Sequence, residues 1–300
     1  MKEIATVVVT FNRLSLLKEE IKSLRAQTIS EKNQLIVVNN GSTDGTLAWL
    51  EQQTDIITLT QENSGGAGGF FTGMKYAVEQ GYRYCWLMDD DVVCRLDALD
   101  ELYKAYHLKE NIGFVCSRVQ GTDGCEMNVP YPDMSTKGNA YPTTYAMLDY
   151  GMVKISSATF VSVFLSTDII RRCGLPYREY FIWGDDSEYT ERLSKQYDCY
   201  LAGKSRVIHK RAMQGMLGLA QETDPIRVQN YFFYFRNNYY RKYRQGSCRF
   251  RLHLVYRWLR MAFGYIRHGQ MAKAKVILRA VRAIRTFNPQ VQYPQQNANQ

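Results

Sequence analysis

The sequence predicts an α/β protein with a mostly parallel central sheet. Short β-branched or apolar runs alternate with segments whose apolar residues recur at helical spacing, which is typical of parallel strands covered by helices on both faces. The 300 residues, of which 45% are hydrophobic, can bury a large core. Polar and glycine-rich loops follow the predicted strands, and ligands of such sheets bind at the carboxyl ends of strands.

The elements follow from periodicity and from turn residues. In chain order they are a strand over 7–10, a helix over 14–24, a strand over 35–38, a helix over 46–53, a strand over 56–60, a helix over 69–80, a strand over 84–88, a long loop over 121–145, a strand over 154–165, a helix over 167–173, a helix that Asp185 or Asp186 caps and a strand over 205–208. Charged residues near position 97 predict a further helix. Long loops in compact domains are usually functional.

The charge of the chain is divided unevenly. Residues 225–300 contain fifteen Lys or Arg and no Asp or Glu, whereas residues 1–224 contain 23 basic and 29 acidic residues. Two stripes of apolar residues in the basic region, over 250–266 and 271–281, predict basic amphipathic helices. Such helices favour an anionic partner, either a membrane surface or nucleic acid, and the alternative is a helical hairpin with a solvated basic face.

Cysteine usage and the N-terminus predict a location in the cytoplasm. The seven cysteines are scattered without a CxxC pair, which favours a reducing compartment over a disulfide framework. The first residues lack the layout of a signal peptide, and no stretch has the ~18 apolar residues needed to span a bilayer. We therefore expect a protein that is neither secreted nor integral to a membrane.

Three local patterns could carry chemistry. One is a run of three acids, Asp89, Asp90 and Asp91, at the end of an apolar strand. Side chains alternate along an extended chain, so Asp89 and Asp91 point to one side, where a divalent cation would compensate their charge. The alternative is a solvated helix cap. Another is the glycine-rich segment Asn63–Gly69, whose glycines would let the main chain lie close to a phosphate or sugar. The alternative is that this segment is a flexible turn. This segment is neither a GxGxxG fingerprint nor a P-loop.

A third pattern combines acids with aromatic residues. Asp185, Asp186 and Glu188 follow Phe181-Ile182-Trp183, and partial desolvation beside aromatic rings favours a general base; helix capping is the alternative. His209 follows the strand over 205–208 and could be a third metal ligand, although a single histidine is more often structural.

Taken in order, the motifs VVVTFNR, IVVNNGSTDGT, NSGGAGGF, WLMDDDV, FIWGDDSEY and IHK resemble the inverting glycosyltransferases of family 2, which have the GT-A nucleotide-sugar-binding fold. The NSGGAGGF loop with DDSEY is most similar to the galactofuranosyltransferase and rhamnosyltransferase-like branch. The resemblance covers about residues 4–215. Together with the charge division and the composition of the C-terminus, it predicts a catalytic domain over 1–224, a basic helical region over 225–287 and a disordered Gln/Asn-rich tail over 288–300.

The resemblance also implies site residues. The nucleotide-sugar set is Thr10, Phe11 and Arg13 bordering the base, Asn39 on the base, Asn63, Gly65 and Gly66 along the nucleotide's sugar, and Asp89 and Asp90. The metal set is Asp89, Asp91 and His209, with Mn or Mg as the cofactor. Asp185 matches the general base, and we expect Trp183, Asp186 and Glu188 to bind the acceptor. Many relatives have aspartate where this chain has Asn39, which leaves uracil and thymine both open as the base.

The function that follows is a metal-dependent, inverting transfer of one sugar to a lipid-linked saccharide acceptor during surface polysaccharide synthesis, by an enzyme peripheral to the inner face of the cell membrane. UDP-galactofuranose is the first choice of donor and dTDP-rhamnose the second. A nucleic-acid-binding protein is the rival class, but its acidic motifs would then face a polyanion. A catalytically dead sugar-binding module is less consistent with the intact acids, and a homo-oligomer is left open.

Overall fold

The structure is a computed structural model that describes residues 2–136, 140–211, 218–243 and 246–295. The strands in these ranges are β1 (Ile4–Thr10), β2 (Asn33–Asn39), β3 (Ile56–Thr60), β4 (Tyr84–Asp89), β5 (Val92–Cys94), β6 (Ile112–Gly121), β7 (Tyr131–Pro132), β8 (Met152–Ser157), β9 (Val163–Ser166) and β10 (Asp198–His209). The α-helices are α1 (Leu14–Arg25), α2 (Thr46–Leu50), α3 (Gly65–Glu79), α4 (Ala98–Tyr106), α5 (Thr167–Cys173), α6 (Asp185–Ser194), α7 (Pro225–Asn238), α8 (Cys248–Arg267) and α9 (Met271–Ala283). Parts of the predicted loop 121–145, helical region 225–287 and tail 288–300 lie outside the described residues.

The chain divides into two compact units. The sheet unit comprises residues 1–178, 186–214 and 291–300, and the helical unit comprises residues 179–185 and 215–290. The short segment 179–185 therefore groups with helices that begin forty or more residues later in the sequence.

The strands of the sheet unit form one ten-stranded sheet in the order β3-β2-β1-β4-β9-β6-β10-β8-β7, with β5 paired to β10. β3, β2, β1 and β4 run parallel to one another, which confirms the predicted parallel strands. Beyond β4 the sheet is mixed, because β9 runs antiparallel to both β4 and β6 while β6 and β10 are parallel. The predicted strand over 154–165 is two strands, β8 and β9, and β6 was not predicted.

Both faces of this sheet are buried. Alternation along β1 directs Ile4 and Val8 toward one apolar cluster, to which α1, α2 and α4 contribute, and Val7 and Val9 toward a second cluster with α3, α5 and α6. A strand buried on both faces needs apolar residues at consecutive positions. The unbroken apolar runs in the sequence are therefore explained by helices on both sides.

Helix α3 begins at Gly65, four residues before the predicted start. A Cβ atom on Gly69 would lie 2.3 Å from a methyl group of Val9, and one on Gly73 would lie 2.2 Å from a methyl group of Val7. These two glycines therefore permit close packing of α3 on β1. By contrast, a Cβ atom built on Gly66 would meet no atom within 4 Å beyond its chain neighbours and the backbone of its own helix, so the space beside this residue is open.

The helical unit has its own core. Leu254, Trp258 and Ala262 of α8 are buried in a cluster with residues of α7 and α9. Most of the apolar stripe that the sequence shows along α8 is not in this core: Leu252, Leu259 and Phe263 are exposed. Helix α8 thus has an inward apolar face and an outward one. None of the described helices combines the length and hydropathy needed to cross a bilayer.

Candidate active site

The carboxyl ends of four parallel strands meet at one edge of the sheet unit. The strand register pairs Val9 of β1 with Asp89 of β4, and it pairs Asn39 of β2 with Thr10 and Thr60 on its two sides. The polar loops that follow these strands therefore collect at the same edge. This is where ligands bind in open α/β sheets.

Asp89, Asp91 and His209 converge at this edge. Each offers a ligand atom within 4.8 Å of those of the other two, and His209 Nε2 lies 2.9 Å from Asp91 Oδ1. His209 lies close to Asp89 and Asp91 because it is the last residue of β10 and pairs with Val92, the first residue of β5. The two carboxylates are oxygen donors that suit Mn²⁺ or Mg²⁺, and the imidazole adds a nitrogen donor of the kind that transition metals accept. The side chains therefore fit a divalent cation.

The two metal-side carboxylates differ in their affinity for protons. Burial, with the negative charges of Asp91 and Asp90, raises the pKa of Asp89 to about 7. Burial acts on Asp91 in the same direction, but the His209 imidazole and the Arg13 guanidinium outweigh it and lower the pKa of that carboxyl. Such crowding of carboxylates favours any positive charge placed between them. A divalent cation would supply that charge.

Asn128 orients the histidine and was not predicted from the sequence. Its side-chain oxygen lies 2.9 Å from His209 Nδ1, and because an amide oxygen can only accept, Nδ1 carries a proton. Nε2 is then the nitrogen that faces Asp91. Hydrogen-bond partners of this kind set the tautomer of metal-binding histidines. Asn128 has a left-handed φ of 47° in the predicted long loop, and no local sequence pattern indicates its contact.

Asp90 is directed toward the loop after β1. Its carboxylate accepts hydrogen bonds from Thr10 Oγ1 at 2.8 Å and Arg13 Nη1 at 3.0 Å, and Arg13 Nη1 also lies 2.9 Å from Asp91 Oδ2. Burial raises the pKa of Asp90, although Arg13 and Thr10 oppose the rise. Thr10 and Arg13 of the predicted nucleotide-sugar set thus both contact Asp90 of the same set, which holds them in place.

Side chains join the loops after β1 and β2. Asn12 Oδ1 accepts from the backbone N–H of Thr43 at 2.7 Å, and Asp44 accepts from the N–H of Leu14 at 3.1 Å. Asn39, which we predicted to contact the base, is buried, and its side-chain oxygen accepts from the N–H of Ser42 at 3.1 Å. Phe11 in the same region is 43% exposed, so its ring is available to a planar ligand.

Asn40, rather than Asn39, organises the glycine-rich segment. Its amide group donates to Gly65 O at 3.0 Å and to Asn63 Oδ1 at 3.2 Å, and its oxygen accepts from Gln61 Nε2 at 2.8 Å and Ser64 N at 3.1 Å. Four hydrogen bonds thus define the turn that leads into α3. The sequence shows two adjacent asparagines, and it does not indicate which one faces this turn.

Glu20 of α1 is a buried acid that the sequence did not single out. Its side chain is fully buried, and among the described residues neither carboxyl oxygen has a hydrogen-bond partner. Burial and the charges of Asp90 and Asp91 raise the pKa of Glu20 well above its usual value. Burial at this position therefore favours the neutral form of the Glu20 carboxyl.

The acids of the DDSEY motif are distributed over both units. Trp183 and Asp185 belong to the helical unit, and Asp186 and Glu188 belong to the sheet unit. Glu188 accepts from Arg192 through both carboxylate oxygens at 3.1 Å, which makes it an anchor within α6. The charge of Asp186 contributes to the raised pKa of Asp89, so Asp186 lies near the metal-side acids.

Comparison with known proteins agrees with this geometry. The model of the family described as Glycosyl transferase family 2 matches residues 6–173. Two curated proteins, both galactofuranosyltransferase GlfT1 from Mycobacterium tuberculosis (strains CDC 1551 / Oshkosh and ATCC 25618 / H37Rv), are 37% identical to the chain over 93 residues, which is 30% of this chain and 31% of theirs. The match therefore spans about a third of the length of these relatives.

A solved structure supports the fold assignment. The crystal structure of GalNAc-T7 with UDP, GalNAc and Mn²⁺ matches 81% of this chain and 51% of that chain with a TM-score of 0.56 at 12% identity, which is a likeness of fold. The family match covers more than half of the residues, and the ten-stranded sheet with its acidic carboxyl edge agrees with it. The chain therefore belongs to glycosyl transferase family 2 and has the GT-A fold of such enzymes.

Proposed function

We propose that the protein is a metal-dependent, inverting glycosyltransferase that moves one sugar from a nucleoside diphosphate donor to a lipid-linked saccharide. The observation that carries this proposal is the convergence of Asp89, Asp91 and His209 within 4.8 Å at the edge where the interconnected loops after β1, β2 and β3 end. Loops at this edge supply backbone amides and an exposed aromatic ring. An acidic metal site beside them suits a diphosphate.

The donor binds along the loops of the sheet unit in this proposal. Phe11 and Arg13 border the base with Thr10, and Asn39 offers its amide group to the base. Asn63, Gly65 and Gly66 line the sugar of the nucleotide, and the empty space beside Gly66 supports this role. Asp90 contributes by orienting Thr10 and Arg13.

Asp89, Asp91 and His209 would hold the divalent cation. When bound, a Mn²⁺ or Mg²⁺ ion supplies Lewis-acid stabilisation of the charge on the leaving diphosphate. The protein's contribution is the arrangement of the ligands: Asn128 orients His209, and Arg13 holds Asp91 in its ionised form.

Asp185 is the proposed general base. It removes the proton from an acceptor hydroxyl as the oxygen attacks the anomeric carbon, and the bond to the diphosphate breaks in the same displacement. One displacement inverts the configuration at that carbon, and no covalent enzyme intermediate forms. Trp183, Asp186 and Glu188 assist at the acceptor side, with Glu188 acting through its ion pair in α6.

Galactofuranose from UDP-galactofuranose is the first choice of donor sugar. The support is the 37% identity to the galactofuranosyltransferase GlfT1 over 93 residues, together with the sequence motifs. Rhamnose from dTDP-rhamnose is the second choice. The choice of base rests on Asn39, because an amide oxygen can accept from N3–H of either uracil or thymine.

We further propose that the protein works on the cytoplasmic face of the cell membrane and docks there through the helical region 225–287. The outward face of α8 exposes Leu252, Leu259 and Phe263. Arginines flank this face, and residues 225–300 contain no acid. Apolar side chains next to arginines favour an anionic lipid surface. In this arrangement residues 1–224 form the catalytic domain, and 288–300 are a tail.

A thermal-shift panel tests the proposed function. UDP, dTDP, UDP-galactofuranose and dTDP-rhamnose are added with and without Mn²⁺, and we expect stabilisation by the cognate nucleotide only when the metal is present. A ligand at a hundred times its dissociation constant adds about 2.7 kcal/mol of stability. Stabilisation by an oligonucleotide, with none by any nucleotide sugar, would instead favour the nucleic-acid-binding class.

A further inference from the structure

The segment immediately before Asp185 has an unfavourable backbone conformation. Phe181 and Trp183 both have φ of 64°, and Gly184 has φ of 96°. Residues with a Cβ atom and a bulky ring rarely adopt the left-handed region. Local preference would therefore not keep residues 180–184 in this shape, and contacts from elsewhere in the helical unit must maintain it.

Asn237 of α7 supplies these contacts. Its side-chain amide group donates to the backbone oxygens of Tyr180 at 2.9 Å, Ile182 at 3.1 Å and Trp183 at 2.9 Å. The side chain is almost completely buried, with 1% exposed. The two hydrogens of this NH₂ group are thus shared among three carbonyl oxygens that converge on it. Without Asn237, these carbonyls would lose hydrogen bonds.

Arg236 fixes the orientation of this amide. Its Nε and Nη2 donate to Asn237 Oδ1 at 3.1 and 2.9 Å, and Nη2 also donates to the backbone oxygen of Glu179 at 2.5 Å. Because a guanidinium has no acceptor, the oxygen of Asn237 must face it and the NH₂ group must face the loop. The guanidinium lies 3.9 Å from the ring centre of Phe287, which holds it from the other side.

We propose that Asn237 and Arg236 are positioning residues for the proposed base Asp185. They hold the segment 179–184, in which Phe181, Trp183 and Gly184 are left-handed, immediately before Asp185. Asp185 is the first residue of α6. This inference rests on the proposed function. All of these residues belong to the helical unit, whereas the proposed donor and metal residues belong to the sheet unit. Loss of the pair should therefore lower turnover without weakening donor or metal binding.

The test compares Asn237→Ala with Asn238→Ala. Asn238 is the matched control, because it is the next residue on α7 and its amide group donates to Tyr234 O of its own helix. We expect Asn237→Ala to lower kcat by about 10–100-fold, the effect of misplacing a reacting group by about 1 Å. The Kd values for nucleotide and Mn²⁺, measured by calorimetry, should stay within about twofold of wild type, and Asn238→Ala should resemble wild type.

A second variant and a double mutant complete the test. Arg236→Lys keeps the positive charge but loses the paired N–H groups of the guanidinium, so it should also lower kcat, by a smaller factor. This variant tests the positioning role if circular dichroism shows that Asn237→Ala does not fold.

Adding Asn237→Ala to Asp185→Asn should cause little further loss of kcat, because both substitutions act through the Asp185 carboxylate. Normal kcat in folded Asn237→Ala or Arg236→Lys, or fully additive losses, would overturn the positioning role. Normal turnover of Asp185→Asn alone would instead overturn the base assignment, and the positioning role with it.

Discussion

The sheet unit and the helical unit use charge in opposite ways. In the sheet unit, three aspartates and a histidine crowd into one small volume at a strand edge, where burial and mutual repulsion raise the pKa of Asp89 to about 7. Along α8 of the helical unit, arginines are spread over an exposed helix whose outward face is apolar. The concentrated charge suits a single small cation, and the distributed charge suits an extended anionic surface.

The two units also fix the backbone of their candidate site loops in different ways. In the sheet unit, Asn12, Asn40 and Asp44 connect loops that already lie side by side because their strands are parallel neighbours. In the helical unit, Asn237 holds a loop that its own sequence disfavours. The first arrangement follows from the topology of the sheet, and the second depends on one buried side chain.

The largest effect is expected from removing the metal site. Chelation by EDTA should abolish transfer, and Asp91→Asn should lower kcat/KM on the order of 10³-fold because a charged ligand is lost. A radiolabelled transfer assay measures both. Asp100→Asn on α4, where the carboxylate pairs with Lys104, is the control and should be active. Full activity in excess chelator would mean that the acidic cluster is structural.

The next effect concerns the base. Asp185→Asn keeps the size of the side chain but cannot accept a proton, so turnover should fall by about 10²–10⁴-fold with nearly unchanged donor affinity. Single-turnover kinetics and nucleotide binding separate the two quantities. Glu188→Gln should mainly change acceptor affinity or stability. A near-normal Asp185→Asn enzyme beside an inactive Asp186→Asn enzyme would move the base from the helical unit to the sheet unit.

The distributed charge of α8 can be tested directly. Replacing Arg249, Arg257, Arg260 and Arg267 by Gln should weaken binding to anionic vesicles by more than about 10²-fold, because each arginine contributes ~1 kcal/mol. Vesicle sedimentation measures the partition, which should also fall with salt. The control replaces Arg25, Arg83, Arg95 and Arg118 of the sheet unit by Gln and makes the same change in net charge. Equal losses in both variants would show that net charge, and not α8, governs binding.

The raised pKa of Asp89 predicts a pH dependence of metal binding. A metal ligand must be deprotonated, so the apparent Mn²⁺ affinity should fall by up to about tenfold per pH unit below pH ~7 and level off above it. Calorimetry across this range gives the profile. Asp89→Asn should lack the step at pH ~7, and an unchanged step in that variant would assign it to another group.

The smallest effect concerns Glu20. Folding raises the pKa of the Glu20 carboxyl, so the folded protein keeps a proton that the unfolded chain releases above pH ~4.5. The neutral carboxyl therefore contributes to the free energy of unfolding at low pH, and this contribution is lost as the pH rises. Glu20→Gln is neutral at every pH. The stability of this variant relative to wild type, measured by urea unfolding, should therefore increase as the pH rises from ~5 to ~8. A constant difference would show that Glu20 is ionised when folded.

Much of the sheet unit could be predicted because its signals are local. Apolar runs and helical spacing indicate β1, α1, β2, β3 and β4 within a few residues, and parallel topology brings their polar ends together. Asp89 and Asp91 were predicted from alternation, and the structure brings His209 to them. Asn40, Asn128 and Glu20 could not be predicted, because their importance depends on which distant loops and acids they meet. For the same reason, the glycines of α3 suggested a ligand loop, whereas Gly69 and Gly73 pack on β1.

By itself, the sequence determined the α/β class, the acidic strand end, the order of the family motifs and the division of charge, because each of these depends on residues near one another in the chain. Only the tertiary structure decided that residues 179–185 group with the helices, that Asn237 holds the loop before Asp185, and that the stripe on α8 faces outward. Amphipathic spacing does not indicate which of two apolar faces is buried. Hydrogen bonds between residues more than fifty positions apart exist only once the chain has folded.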